Sequence, residues 1–379
     1  MKAPSRLDTS LIARWWWSVD RLSLALIAVI VMVGFVLLLA AGPAAAARLR
    51  IADSFHFPVR QLFFLAPALT LMLGVSLMSP LQARRLGVIV FVGAVAMMGL
   101  ALLFAPDING AKRWFSIAGF GVQPSEFAKP GFVITVAWML AENARNPAFP
   151  GKLIAAGLYA LLLVLLVLQP DYGQAMLVTA AGGVMFFVVG WSWTSIAALG
   201  AMATTALTAG YLFAPHLANR INGFLHPDSA ETYQVDKALE AIGHGGLFGR
   251  GGDGATVKMQ LPDAHTDFIF AVAGEEGGFI LGLIVISLFA ALVMRVFVRA
   301  TGLKSVFARC AVSGLGALIG MQSIINIGVN LRVLPAKGMT LPFISYGGSS
   351  LLATGLTLGF ILALSRAHGG YARRKEIMP

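Results

Sequence analysis

Three ionisable side chains at alternate positions, Asp263, His265 and Asp267, open the segment LPDAHTDFIFAVAGEE (261–276), which then turns apolar and ends on adjacent glutamates, Glu275 and Glu276. A carboxylate at the rim of an apolar segment can accept the proton of an attacking hydroxyl, which is the chemistry to weigh for Asp267. The plainer role, helix-dipole partner in a first turn after Pro262, suits Asp263 better. If Asp267 starts a helix, Glu275 and Glu276 lie roughly 12–14 Å deeper at about 1.5 Å per residue.

Two further clusters bring the complementary charges. In NGAKRWFSIAGFGVQPSEFAKP (109–130), Lys112 and Arg113 flank Trp114, and Ser125 can cap a helix whose first turns carry Glu126 and Lys129 on one face. Glu126 and Lys129 read either as an internal salt bridge or as substrate contacts, Lys129 being the better phosphate ligand. Trp114 is an interface anchor or a platform for a sugar ring. In PAKGMTLPFISYGGSS (335–350), Lys337 is a third cation. Ser345, Gly347, Gly348, Ser349 and Ser350 suit either close helix packing or an irregular helix start lining a cavity. Cations, carboxylates and hydroxyls together suit a substrate with phosphate and sugar groups, such as a lipid-linked saccharide.

The elements that must position these groups are membrane helices. Of 379 residues 58% are hydrophobic and 12% charged, and the mean hydropathy is +0.81, which excludes an ordinary soluble domain. A bilayer core about 30 Å thick needs about 20 apolar residues per helix. Ten spans fit, near 22–42, 61–81, 86–105, 127–141, 153–169, 173–190, 193–213, 267–294, 308–331 and 341–364, so the expected fold is an all-α polytopic membrane protein. The first span is too long for the core of a cleaved signal. With both termini inside, cytoplasmic segments hold 16 of the 28 Lys and Arg residues, an excess of the sign the positive-inside rule requires. It accounts for much of the +11 net charge without nucleic acid. The WWW at 15–17 reads as an interfacial anchor. The long polar segment 214–266 falls outside, with a helix expected over 231–242 and then GHGGLFGRGGDG (243–254), where glycines provide flexibility or close backbone approach to a ligand. Its four Lys and Arg against six Asp and Glu over 214–265 leave it net negative. Single Cys310 excludes an internal disulfide, and the six histidines have no zinc-ligand spacing.

The motifs NGAKRW, QPSEFAK, PDYGQA, LPDAHTDFIFAVAGEE and LPFISYGGSS, in that order, resemble the SEDS family (shape, elongation, division and sporulation) of peptidoglycan polymerases, and its FtsW-like more than its RodA-like branch. The resemblance spans nearly the whole chain: residues 1–21 would be a cytoplasmic segment, 22–365 the transmembrane domain and 366–379 a cytoplasmic tail. It implies an inverting glycosyltransferase that polymerises lipid II at the periplasmic face of the inner membrane, with Asp267 as base and undecaprenyl pyrophosphate as leaving group. Lys112, Arg113, Lys129 and Lys337, or a divalent cation (Mg2+ or Mn2+), would stabilise that leaving group, with no organic cofactor. Trp114, His265, Ser345 and Ser349 would contact substrate, Glu126 would orient Lys129, and Asp171, Glu275 and Glu276 would support the site. A class B penicillin-binding protein and other division proteins would be partners. Gly277, where the family commonly has a bulkier residue, and GGDGATV (251–257) depart from the family pattern and put the local loop shape in doubt. The competing readings are a lipid II flippase and a non-catalytic division scaffold. A flippase would carry its site near the midplane, where this chain has almost no charge.

Overall fold

The computed structural model describes residues 10–107, 110–117, 120–213, 218, 222, 233–335 and 338–366. Lys337, most of 214–232 and both chain ends therefore lie outside the described residues. A short amphipathic helix, α1 (Leu11–Ser18), precedes seven long ones: α2 (Arg21–Arg48), α3 (His56–Ser76), α4 (Pro80–Phe104), α5 (Pro124–Arg145), α6 (Gly151–Leu168), α7 (Tyr172–Val188) and α8 (Trp193–Phe213). Helix α9 (Tyr233–Gly245) lies in the long polar segment, and α10 (Ile269–Thr301), α11 (Val306–Asn330) and α12 (Gly348–Leu364) complete the bundle. A hairpin of β1 (Phe115–Ile117) and β2 (Phe120–Val122), paired Phe115 to Val122, precedes α5. The ten expected spans correspond to α2–α8 and α10–α12.

Six of these helices, α2, α3, α4, α6, α10 and α11, are long and apolar enough to cross a bilayer. Helices α7 and α12 are apolar but shorter. Helix α5 carries Glu126, Lys129, Glu142 and Arg145, yet it is buried along most of its length. Helices α4, α6 and α11 pack around it, so Glu126 and Lys129 meet protein instead of lipid, while Glu142 and Arg145 pair at its exposed end. Exposed Val29, Met32, Ile89, Val92, Leu161 and Val164 form part of the outer apolar surface.

Several boundaries move for local reasons. Helix α3 stops at Ser76 because Pro80 opens α4, where Ser79 caps the helix in a capping box with Gln82. Arg84 and Arg85 then fall inside α4, and Arg84 lies 4.8 Å from the centre of the Trp138 ring. Tryptophans 15–17 do more than anchor an interface. The Trp15 indole donates to Ser76 Oγ at 2.9 Å, Arg21 covers Trp16 and Trp17, and Asp20 accepts two bonds from Arg295 at 2.7 and 2.8 Å, tying the start of α2 to α10. Helix α12 starts at Gly348, seven residues later than the apolar run, because Ser345 and Tyr346 are bonded to the turn before α10.

Helix α10 begins at Ile269, so Asp267 lies in the preceding turn. Asp263, at φ 51°, is also in that turn, and its carbonyl accepts from the backbone N–H groups of Thr266 and Phe268. The two carboxylates therefore do not share a helix face. The helix breaks at Gly278 (φ 67°). Before the break Ile269–Glu275 is buried, and from Phe279 onward large apolar side chains face outward. The stretch from Gly278 to Thr301 rises roughly 35 Å, enough to cross the bilayer core by itself. Glu275 and Glu276 thus precede the crossing segment.

Into the break fits the glycine-rich segment after α9, whose Gly246 and Leu247 carbonyls accept from Phe279 and Ile280 N–H. A Cβ at Gly245 would collide with the Gly274 carbonyl, and one at Gly249 with that of Glu276. The glycines at 245 and 249 serve close approach of two backbones, where the sequence-based expectation was flexibility or close approach to a ligand. Gly243, two residues earlier in α9, faces open space. Gly245→Ala should lower the thermal midpoint in detergent by several degrees, whereas Gly243→Ala should leave it unchanged or raise it, alanine being favoured over glycine within a helix by about 1 kcal/mol.

Candidate active site

A cavity of about 610 Å³ opens where the N-terminal ends of α3, α5 and α12 meet the turn before α10. Even-numbered crossings of a ten-span bundle run in one direction, so their starts share a side. Thr266 and Asp267 line it together with Arg60, Arg113 and Trp114. Gln123 and Glu126 come from the start of α5, and Gly347–Ser350 from the start of α12. The β-hairpin closes one flank. Phe120 stacks on Phe63 with ring centres 5.6 Å apart and meets Phe64 edge-on at 5.3 Å, and Gly121 leaves room beside the Trp114 ring.

Beneath the cavity lie linked ion pairs. Arg113 is 3.6 Å from Asp171, whose carboxylate also accepts from Gln123 Nε2 at 2.9 Å and Ser125 Oγ at 3.4 Å. Glu126 accepts from Lys129 at 3.0 Å and from Gln174 at 2.5 Å. Lys129 reaches Gln322 Oε1 at 3.4 Å, and Gln322 Nε2 donates to the Thr340 carbonyl at 2.9 Å. Burial of charge is tolerable only with such partners. The PDYGQA motif thus acts through Asp171 and Gln174, which hold Arg113 and Glu126.

The cavity brings together Asp267, Arg113, Trp114, Glu126 and Ser349 of the sequence candidates. Lys112 is not on its wall; its carbonyl accepts from Gln169. Lys129 is buried and engaged with Glu126 and Gln322, so its ammonium is taken up inside the protein. Ser345 is buried and works as a staple, accepting from Leu341 N–H at 2.7 Å and donating to the Thr266 carbonyl at 2.6 Å. Glu275 is fully buried and accepts from the N–H groups of Val257 and Lys258, both at 2.7 Å, and lies 2.9 Å from His244 Nδ1. Glu276 pairs with Lys258 and accepts from Gly252 N–H. These two glutamates hold the loop that follows α9.

His265 is packed between Phe57 and Tyr346, with ring centres 4.1 and 5.5 Å away, and its Nδ1 is buried without a hydrogen-bond partner among the described residues. Burial pushes its pKa down to about 4, against a smaller opposing pull from Asp263. It is neutral at physiological pH.

Composition and spacing missed three features. Arg60 was hidden as the flank of an apolar run. Asn326 and Asn330 are buried on α11 and both donate to the Asp267 carbonyl, at 2.8 and 2.9 Å. Two polar amides four apart in an apolar helix were the available signal.

Residues 20–369 match the FtsW/RodA/SpoVE family, described as cell cycle protein, and the chain belongs to that family of polytopic membrane proteins. A probable peptidoglycan glycosyltransferase FtsW of Caulobacter vibrioides is 45% identical over 366 residues, covering 97% of this chain and 94% of the relative. Stage V sporulation protein E of Bacillus subtilis is 33% identical over 324 residues, covering 83% and 88%. Among solved structures, a chain of a peptidoglycan synthase complex that coordinates polymerization and crosslinking superposes with a TM-score of 0.76 at 30% identity, covering 92% of this chain and 98% of that one. The rod shape determining protein RodA of Thermus thermophilus gives 0.68 at 29% identity, covering 92% and 97%.

Two outcomes follow from the buried charges. Lys129→Met leaves Glu126 without its cation and should cost about 3–5 kcal/mol, while Lys129→Met with Glu126→Gln should recover most of the loss, as read by thermal unfolding in detergent. The unfolded His265 side chain binds a proton below about pH 6.5, but the folded one only near 4. Stability should therefore fall as pH drops from about 6.5 to 4, by about 3 kcal/mol in all. His265→Phe should flatten that part of the profile.

Proposed function

We propose that this protein is a peptidoglycan glycosyltransferase that polymerises lipid II, the undecaprenyl-pyrophosphate-linked disaccharide pentapeptide, at the periplasmic face of the inner membrane. The observation that carries the reading is one cavity lined by Asp267 together with Arg60, Arg113 and Trp114. Asp267 takes the proton from the 4-hydroxyl of the acceptor sugar as its oxygen attacks the anomeric carbon of the donor. The new glycosidic bond forms as the bond to pyrophosphate breaks, with inversion, and undecaprenyl pyrophosphate leaves with the electron pair. Arg113, held by Asp171, and Arg60 stabilise the developing charge, assisted by the N-terminal ends of α5 and α12. Trp114 supplies a face for a sugar ring, and Ser349 a hydroxyl.

No group of three or more His, Cys, Asp or Glu stands together as a metal cage among the described residues. Asp267 is the carboxylate best placed to share a Mg2+ or Mn2+ ion that arrives on the pyrophosphate, since Mg2+ commonly binds through one or two carboxylates plus substrate phosphate. Such an ion would supply charge stabilisation to the leaving group.

The 45% identity to a probable FtsW supports a role in septal wall synthesis over elongation. The similarity to a chain from a peptidoglycan synthase complex supports a class B penicillin-binding protein as partner, with other division proteins around it. The basic-residue excess supports cytoplasmic termini. Transport of lipid II is the weaker reading, because the carboxylates and cations on the cavity wall cluster at helix starts on one side instead of between them.

Labelled lipid II given to the purified protein with its cognate transpeptidase should yield polymer, and Asp267→Asn should lower the rate at least about 100-fold while leaving folding and partner binding intact. Equal polymer from both would remove Asp267 from the chemistry. No polymer from either, with lipid II flipping in liposomes, would establish the transporter instead.

A further inference from the structure

We propose that Gln322, Asn326 and Asn330, a polar stripe on α11, are positioning residues that fix Asp267 in the lining of the cavity. The proposal rests on the glycosyltransferase reading. The three residues are four apart, and so on one helix face, and all are buried, with 7%, 1% and 0% of their surface exposed.

Asn326 Nδ2 donates to the Asp267 carbonyl at 2.8 Å and to the Met339 carbonyl at 2.6 Å. Asn330 Nδ2 donates to the same Asp267 carbonyl at 2.9 Å, and its Oδ1 accepts from Ala271 N–H at 3.0 Å. Gln322 bonds the Thr340 carbonyl and accepts from Lys129. The stripe therefore grips the turn that bears Asp267, the first turn of α10, the 339–340 segment that runs beside the cavity, and the ion pair under it.

A carbonyl oxygen has two lone pairs, and at Asp267 two asparagines fill both. Asn326 must present its NH2 to reach two carbonyls, which leaves its Oδ1 buried and without a partner among the described residues. An unsatisfied buried acceptor is a local cost of the kind that folded proteins carry at functional sites. Asp267 stands in a turn outside any helix, so the two bonds to its carbonyl set where its backbone lies. Displacement of a reacting group by about 1 Å can cost about 100-fold in rate.

The test uses the complex with its cognate transpeptidase and initial rates of lipid II polymerisation. Asn326→Ala and Asn330→Ala should each lower kcat roughly 10- to 100-fold with KM within about threefold of wild type. Asn326→Ser and Asn330→Ser, which keep one donor, should lie between, and they decide the matter if an alanine variant does not fold. A folded variant with wild-type kcat, or a loss confined to KM, would overturn the assignment. Full activity of Asp267→Asn would instead overturn the base assignment, whatever the asparagine variants do.

Discussion

The constraint on which the rest depends is that the chain must leave helical geometry at the edge of a bilayer to bring Asp267 to the cavity, and lipid offers no hydrogen bonds to an open backbone. Each exposed carbonyl in the turn therefore needs a partner from elsewhere in the protein. His265 accepts from the Tyr346 N–H, Thr266 from Ser345, and Asp267 from Asn326 and Asn330. These bonds reach residues 59 to 81 positions away. Ser345 and Tyr346, in the non-helical segment 341–347, supply two of these partners. Two irregular segments satisfy each other, and α11 closes the arrangement.

The break in α10 follows the same rule. At Gly278 the helix would leave unpaired groups, and the carbonyls of Gly246 and Leu247 take up Phe279 and Ile280 N–H. That exchange requires backbones closer than side chains allow, which is why glycine stands at 245, 249 and 278. Glu275 completes it by accepting from Val257 and Lys258. A buried carboxylate is expensive, and here two backbone N–H groups and His244 offset the cost. The glycine-rich part of the long polar segment is thereby fastened to the helix start that follows Asp267, and the glycines at 245 and 249 are what that fastening requires.

Apolar run length made the bundle legible, since about 20 residues are needed to cross whatever the sequence is. Hydropathy could not locate the start of α12, because LPFISY (341–346) is apolar yet bonded in turns, nor the break in α10, which two glycines in an apolar run do not announce. At the site, residue type exposed Asp267, Arg113 and Trp114, whose charge or ring is unusual in such a chain. It misdirected attention to Lys129, whose charge is as unusual but is consumed by Glu126. Distinguishing Lys129 from Arg113 needs the fold: both have carboxylate partners, but only the guanidinium also reaches the cavity. The asparagines of α11 escaped because an uncharged amide raises no alarm by composition, although a buried one must find partners.

Topology itself contributes to the electrostatics. Because α3, α5 and α12 run the same way, their N-terminal ends point into one region, each with unsatisfied N–H groups and a partial positive charge. An anion bound there would meet a partially positive field from the backbone itself. Glu275 and Glu276 are themselves engaged, by backbone N–H groups and by Lys258. Ion pairing of Glu126 with Lys129 and of Asp171 with Arg113 similarly cancels carboxylates that would otherwise repel a pyrophosphate. What the buried network achieves is pairing: Glu126 and Asp171 each meet a cation and an amide at the floor of the cavity.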